Sequence, residues 1–524
     1  MQLVKKLLYN FIVLLLYAVA LWGSVCIFKV LWGNDIWYDE IFSIVYSQNK
    51  ISDMIMLTAG DVHPPFYYFY LKIVCEGLLS IFGKLSYIQA AKIASFLPLV
   101  GMWIISLTYF LRKYSGLCSS LFIMLVTIMP QLCNYYVEIR MYSLCCLMIT
   151  VCFCGMLLIF DAYKDDRYNI EGTMSKIILG YLLFGVFGIL CAYTQYFACV
   201  GVIGLYITLF VFLIINRRKN GVIKGFIGII VCALLSVVAY IPWLPSFFRQ
   251  VSTVSGSYWI QPLTLRSIPG CIKFIYLPVS GDGPITYIAA GLMLIATGII
   301  VIGFISCRPL VNELFAGFAG TISLSFVVFV GFILSIINKP IFVYRYMVPM
   351  LGVYYFGLAY MFVYLLKRRG RLFFVLLIPF VIGGKLTFNG FNFEENYKMN
   401  AIKTAIEELK SIPENSVIIT NFDQVTCVID YYRPDCRVLL YEGETDPAVQ
   451  MMFEKDNQML FDKDLVSLVS EEVLRGNDIF FLGSFNSREE IIADWLNRGI
   501  TSNEPVSILL ERYWVNIYQL GLLE

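Results

Sequence analysis

Five short stretches of this 524-residue chain carry residue types able to do chemistry. "WYDEIFS" (37–43) sets Asp39 and Glu40 among Trp37, Tyr38 and Phe42. A carboxylate partly shielded from water has a raised pKa, which suits a general base. The plainer alternative is an interfacial loop, with aromatics at headgroup level and acids facing water. "GDVHPPFYY" (60–68) holds the single histidine, His63, ahead of Pro64 and Pro65. Two prolines make a stiff turn that can open a helix, which would fix the imidazole where it can bond a phosphate or an acceptor. "NYYVEIRMYSL" (134–144) offers Glu138, Arg140 and Tyr142. A carboxylate and a guanidinium beside lipid are costly unless paired or lining a cavity, so a structural ion pair is the alternative. "AYTQYFA" (192–198) puts Thr194 and Gln195 in a very tight turn. "FVYRYMVP" (342–349) sets Arg345 between Tyr344 and Tyr346. A planar guanidinium suits a phosphate; an arginine snorkelling to the interface is the alternative.

These residues need elements to position them, and composition says which solvent those elements meet. The chain is 59% hydrophobic, 16% aromatic and 15% charged, against roughly 25% charged in soluble domains. So much apolar surface cannot be hidden in one aqueous core, so the bilayer must be the solvent. No basic domain or basic helix face points to nucleic acid. Most of the fifteen cysteines lie in apolar runs, where they act as small hydrophobes. No CxxC pair occurs, and a single histidine excludes a His-rich zinc site. Cys427 and Cys436 allow either a disulfide or two free thiols.

Apolar stretches of spanning length lie near 7–31, 88–111, 117–133, 141–161, 176–193, 196–216, 222–246, 285–306, 312–336, 345–366 and 372–388. The first follows Lys5 and Lys6 and is too long for a signal-peptide core, so it reads as an uncleaved span. Residues 66–82 are shorter and carry Lys72 and Glu76 one helical turn apart, which suits a helix lying in the interface. With about eleven spans and the N-terminus cytoplasmic, the basic loops 112–116, 161–176, 216–224, 307–310 and 367–371 all face inward. The loops 32–87, 134–140, 194–196, 247–284 and 337–345 then face outward, with the motifs above.

The expected domains are therefore a transmembrane part, 1–388, and a soluble α/β part, 389–524, outside the cell membrane. In the latter, 416–420, 437–441, 478–483 and 513–520 read as strands, and 399–411 and 487–499 as helices.

The order of the motifs resembles the GT-C superfamily of membrane glycosyltransferases. It is most similar to the bacterial group that includes protein O-mannosyltransferases and the lipid A aminoarabinose transferase. The resemblance covers roughly residues 1–388 and rests on an acidic pair after the first span, "HPP", "E-x-R-x-Y" and "R-Y-x-x-P". It implies transfer of a sugar from a polyprenyl-phosphate carrier to an acceptor hydroxyl on the outer face, usually with inversion. The acceptor is left open: a cell-wall polymer, a lipid-linked glycan, a lipid or a protein. On this resemblance Asp39 is the base, with Glu40 tuning or sharing that role, and Glu138 and Arg140 form the second acidic motif. His63, Pro64 and Pro65 border the carrier and acceptor, Arg345 holds the carrier phosphate, and Arg140, Tyr142, Gln195 and Tyr346 are counted with the substrate-binding residues. Gln195 stands where many relatives carry histidine, which puts an acid-base or metal role at that turn in question. A divalent metal ion is known in some members, and no cofactor is certain. Neither a Walker loop nor a Rossmann fingerprint is present. A transporter or flippase for a lipid-linked molecule is the alternative; it predicts charges near the bilayer midplane and repeated broken helices. A non-catalytic scaffold would need neither Asp39 nor Arg345.

Overall fold

The computed structural model describes residues 2–163, 170–218, 222–254, 260–279, 283–337, 339–443, 459–485, 487–510 and 512–523. Parts of four expected loops (164–169, 219–221, 255–259 with 280–282, and 338) lie outside the described residues. Contacts divide the chain into two compact units. The first comprises Met1–Leu31, Val62–Tyr70 and Lys92–Asn392; the second comprises Trp32–Asp61, Leu71–Ala91 and Phe393–Glu524. The sequence division at 388 assigns 32–61 and 71–91 to the membrane part, whereas by contacts they group with the C-terminal region.

Among the described residues, ten helices are long and apolar enough to cross a membrane. The chain is a mainly helical, multi-pass membrane protein with a C-terminal α/β region. The difference from the expected eleven lies at 117–133, where the helix is only Gly116–Ile128, 13 residues. Pro130 explains its length: a proline disfavours helical geometry in the residue before it, and Met129 is extended at φ −68°, ψ 147°. At 1.5 Å per residue this helix is about 20 Å long, short of a full span.

The chain nonetheless travels from one end of the helix bundle to the other here. The Leu117 amide donates to the Tyr9 hydroxyl, the Tyr17 and Ser119 hydroxyls bond at 2.7 Å, and Gly23 faces Thr127 and Ile128. The short helix therefore runs alongside the first one, in the same direction. Two other pairs fix the ends of the journey. Ser143 donates to the Ser95 carbonyl at 3.0 Å, and Lys113 to the Leu157 carbonyl at 3.1 Å. Lys113 and Ser143 thus lie at opposite ends of the second long helix, and residues 114–142 make the return. Their backbone is irregular after Ile128, which apolar surroundings permit only where protein covers it. Residues 129–142 are nearly all buried.

Small residues let neighbouring helices approach closely. A Cβ on Gly155 would lie 2.5 Å from the Gly180 carbonyl oxygen, so nothing larger fits between helices Tyr142–Ala162 and Ile170–Ala192. Phe66–Ile81 is a helix that is not among the ten, and its Lys72–Glu76 pair closes at 2.6 Å.

In the second unit a seven-stranded sheet has the order β3-β2-β1-β4-β7-β5, with β6 also pairing with β7. The strands are β1 Val417–Thr420, β2 Arg437–Tyr441, β3 Met459–Leu460, β4 Ile479–Ser484, β5 Ile500–Ser502, β6 Val506–Leu510 and β7 Tyr513–Leu522. β1 to β4 pair in parallel and β7 runs antiparallel to β4. β1 and β4 are buried at every position, as strands covered on both faces must be. Val417, Ile419, Phe481, Trp495 and Tyr518 form the core of one face. Gly499 ends the helix Ser487–Asn497 at φ +85°, a backbone that glycine adopts without strain. Cys427 and Cys436 are both buried, and no disulfide joins them. The last span and the helix expected at 399–411 are one continuous helix, Ile378–Ser411.

Candidate active site

In the first unit, four of the singled-out stretches are tied to one another. The turn before helix Phe66–Ile81 carries His63, Pro64 and Pro65. The Phe66 amide donates to the Tyr193 carbonyl at 2.9 Å, fixing the "HPP" turn to the turn at 193–195. Arg140 is 4% exposed, and its guanidinium lies 3.3 Å from His63 Nε2. A guanidinium only donates, so Nε2 accepts and carries no proton in this pairing. Glu138 precedes Arg140 in a tight turn, its carbonyl accepting from the Arg140 amide at 2.7 Å.

Tyr142 opens helix Tyr142–Ala162 and is the hub of the group. Arg345, Tyr346, Arg140 and Glu138 are its electrostatic neighbours, and the Arg345 guanidinium carbon lies 5.9 Å from its ring centre. Its buried hydroxyl makes no hydrogen bond among the described residues. Arg345 sits in the tight turn Tyr344–Met347, ahead of the helix that Pro349 helps to start. Tyr346 stacks on Phe197 with ring centres 4.4 Å apart and planes 15° apart. That stack ties the turn to helix Tyr196–Ile215, whose N-cap is Gln195. Gln195 is 3% exposed, and neither end of its amide is hydrogen-bonded among the described residues. A buried amide and a buried hydroxyl without partners each cost roughly 1–3 kcal/mol, a cost that a polar ligand removes.

Sequence reasoning missed Lys92. It is 2% exposed, one turn before Ser95, whose carbonyl accepts from Ser143 at 3.0 Å. The Tyr70 hydroxyl bonds the Ala94 carbonyl at 2.7 Å, so Lys92 lies on the helix end between the "HPP" helix and the Arg140–Ser143 segment. The signal was present: a lysine inside an apolar spanning run is expensive and marks a functional position.

Asp39 and Glu40 belong to the second unit, in the first turn of helix Tyr38–Gln48, where acids complement the helix dipole. They are not equivalent. Glu40 is 5% exposed, and its carboxylate accepts the Trp37 amide at 3.0 Å, capping the helix. Asp39 is the more exposed of the two.

Among the described residues no three His, Cys, Asp or Glu side chains group together. Arg140, Arg345 and Lys92 bring positive charge to this part of the first unit.

No family model and no curated protein matches this sequence. The fold is similar to solved structures. One is ArnT from Cupriavidus metallidurans bound to undecaprenyl phosphate, at 13% identity over 97% of each chain and a TM-score of 0.42. Another is the apo state of that protein, at 13% identity over 98% of each chain and 0.44. A third is the archaeal oligosaccharyltransferase AglB from Archaeoglobus fulgidus, in complex with an inhibitory peptide and a dolichol-phosphate. It is 9% identical, over 92% of this chain and 70% of that one, with a TM-score of 0.42. At these scores no residue role is carried across.

Proposed function

We propose that this protein is a membrane glycosyltransferase that moves a sugar from a polyprenyl-phosphate carrier to an acceptor hydroxyl at the outer face of the cell membrane. The observation that carries the reading is the group around Tyr142: Arg140 against His63, Arg345 over the ring, and a buried Gln195 amide with no partner in the described chain. Cations and unfilled donors at the end of an apolar helix bundle suit a substrate with a lipid tail and a phosphate head. The motif order that resembles the GT-C superfamily points to the same substrate.

The chemistry is a single displacement. Asp39 takes the proton of the acceptor hydroxyl. The acceptor oxygen forms the new bond to the anomeric carbon while the bond from that carbon to the phosphate oxygen breaks. The electron pair leaves with the phosphate, whose charge Arg345 and Arg140 hold. Attack opposite the leaving group inverts the anomeric centre. Glu40 keeps the helix start in place, and Glu138 orients Arg140. The N-terminus is cytoplasmic and the α/β region extracytoplasmic, as the basic loops require.

The test is sugar transfer by the purified, reconstituted protein, given radiolabelled polyprenyl-phosphate sugars and membrane extract as the acceptor source. Carrier-dependent incorporation is expected. Uptake of the intact lipid-linked sugar across the vesicle bilayer, with no transfer from any donor, would replace this reading with a transporter.

A further inference from the structure

We infer that the C-terminal α/β region is a brace for the helix that carries Asp39, with Arg512 and Tyr432 as positioning residues. The inference rests on Asp39 being the base. Two separate elements of that region hold the stretch just before Asp39, one at a side chain and one at a backbone carbonyl. Arg512 lies at the turn between β6 and β7, where Leu510 pairs with Tyr513. Its guanidinium carbon is 4.0 Å from the centre of the Trp37 ring. Tyr432 ends the helix Asp423–Tyr432, which packs against helix Tyr38–Gln48. Its hydroxyl donates to the Asn34 carbonyl at 2.7 Å. Residues 34 and 37 are thus held from outside their own segment, and the Trp37 amide is held from within by the Glu40 carboxylate.

The physical need is plain. The first turn of a helix lacks half its backbone bonds and opens first. Asp39 stands in that turn. A base that swings by about 1 Å loses on the order of a hundredfold in rate. A cation on the face of Trp37 and a hydrogen bond to Asn34 hold the two residues that set the direction of this turn. Lys398 has both Asp35 and Arg512 in its field, so the long helix Ile378–Ser411 adds a charge to the same junction.

The experiment uses the full chain in detergent or nanodiscs, as wild type, Arg512→Ala, Arg512→Lys, Tyr432→Phe and the Arg512→Ala/Tyr432→Phe double variant. Hydrogen exchange is followed at residues 34–48 and, as a folding control, in β4 and β7. The brace predicts exchange at 34–48 faster by about tenfold in Arg512→Ala and more in the double variant, with β4 and β7 unchanged. Arg512→Lys keeps part of the protection, because an ammonium is also drawn to the ring. With radiolabelled polyprenyl-phosphate sugar and membrane extract, kcat falls about tenfold while the donor KM stays at the wild-type value. Unchanged exchange at 34–48 in the double variant overturns the brace. Faster exchange with unchanged kcat also overturns it, because the brace would then not serve Asp39. Wild type that transfers no sugar defeats the proposed function instead, and the exchange result still decides whether the segment is braced.

Discussion

The two units treat cations differently. In the first, Arg140 and Lys92 are buried at 4% and 2% exposure in a bundle of apolar helices. In the second, cations mostly lie at the surface, where Arg498 bridges Asp462 at 2.6 Å and Asp494 at 2.7 Å, each at partly exposed positions. Surface pairs of that kind contribute little to stability. Buried cations among apolar helices are expensive, and a fold keeps them where an anion or polar partner repays the desolvation. The comparison teaches where to look: in the first unit a buried cation marks a working position, and in the second a cation mostly marks a solvated face. Arg433 is the exception that sharpens the rule. It is 5% exposed, yet it is spent on structure, donating to the Leu409 and Pro413 carbonyls and pairing with Asp435 at 2.6 Å.

The largest effect is expected where the arginines of the first unit meet the ligand. Arg345→Ala and Arg140→Ala should each weaken binding of polyprenyl phosphate by about 10- to 100-fold, the worth of a charge-assisted hydrogen bond. Titration of the carrier phosphate into nanodisc-embedded protein measures this, and wild-type affinity in both variants would break the comparison. Next comes Arg433→Ala, which should leave carrier binding intact and destabilise the α/β region by about 2–3 kcal/mol, because the Leu409 and Pro413 carbonyls each lose a charged donor and Asp435 loses its partner. Exchange protection of β1 and β4 amides reports it. Arg498→Ala, by contrast, should leave that protection at the wild-type level.

Smaller still is the effect at Glu40. Glu40→Gln keeps an acceptor for the Trp37 amide, so sugar transfer should stay within about threefold of wild type, whereas Glu40→Ala should cost helix stability of about 1 kcal/mol. Equal, large losses of transfer in both would make Glu40 a chemical participant. The smallest effect is a pH dependence. Arg433 beside it holds the Asp435 carboxyl down at about 2, below the ordinary range. A carboxylate depressed in the folded state contributes stability above its unfolded pKa, near about 3.9, and loses it as pH falls through the folded value. The stability gap between wild type and Asp435→Asn should therefore be constant above about pH 5, narrow below about pH 4 and close near pH 2.

Local signals were legible in the sequence where one physical rule decided the outcome. Long apolar runs became long helices, and short β-branched runs such as "SVIIT" and "DIFFLG" became β1 and β4, because burial on both faces leaves no alternative. The Lys72–Glu76 spacing predicted its ion pair. What was hidden depended on partners distant in sequence. The apolar content at 117–133 looked like a span, and Pro130 cut it short; only its place beside the first helix lets a 13-residue helix serve. The helix Asp423–Tyr432 is amphipathic but too brief for its period to stand out, and its last residue matters through Asn34, 398 residues earlier in the chain. At the site, residue types flagged His63, Arg140, Gln195 and Arg345, while Lys92 was lost inside an apolar run. The separate duties of Asp39 and Glu40 were beyond sequence reasoning, since both satisfy the same pattern and only the Trp37 amide tells them apart.

The central claim is a division of labour between a cation group that holds the carrier phosphate and a carboxylate that takes the acceptor proton. The most direct test compares Asp39→Asn with wild type in two readouts on one preparation: binding of polyprenyl phosphate and transfer of the radiolabelled sugar. The account predicts binding within about twofold of wild type and transfer lower by about 10²- to 10⁴-fold, the usual share of a general base. Wild-type transfer in Asp39→Asn would remove Asp39 as the base, and with it the division of labour.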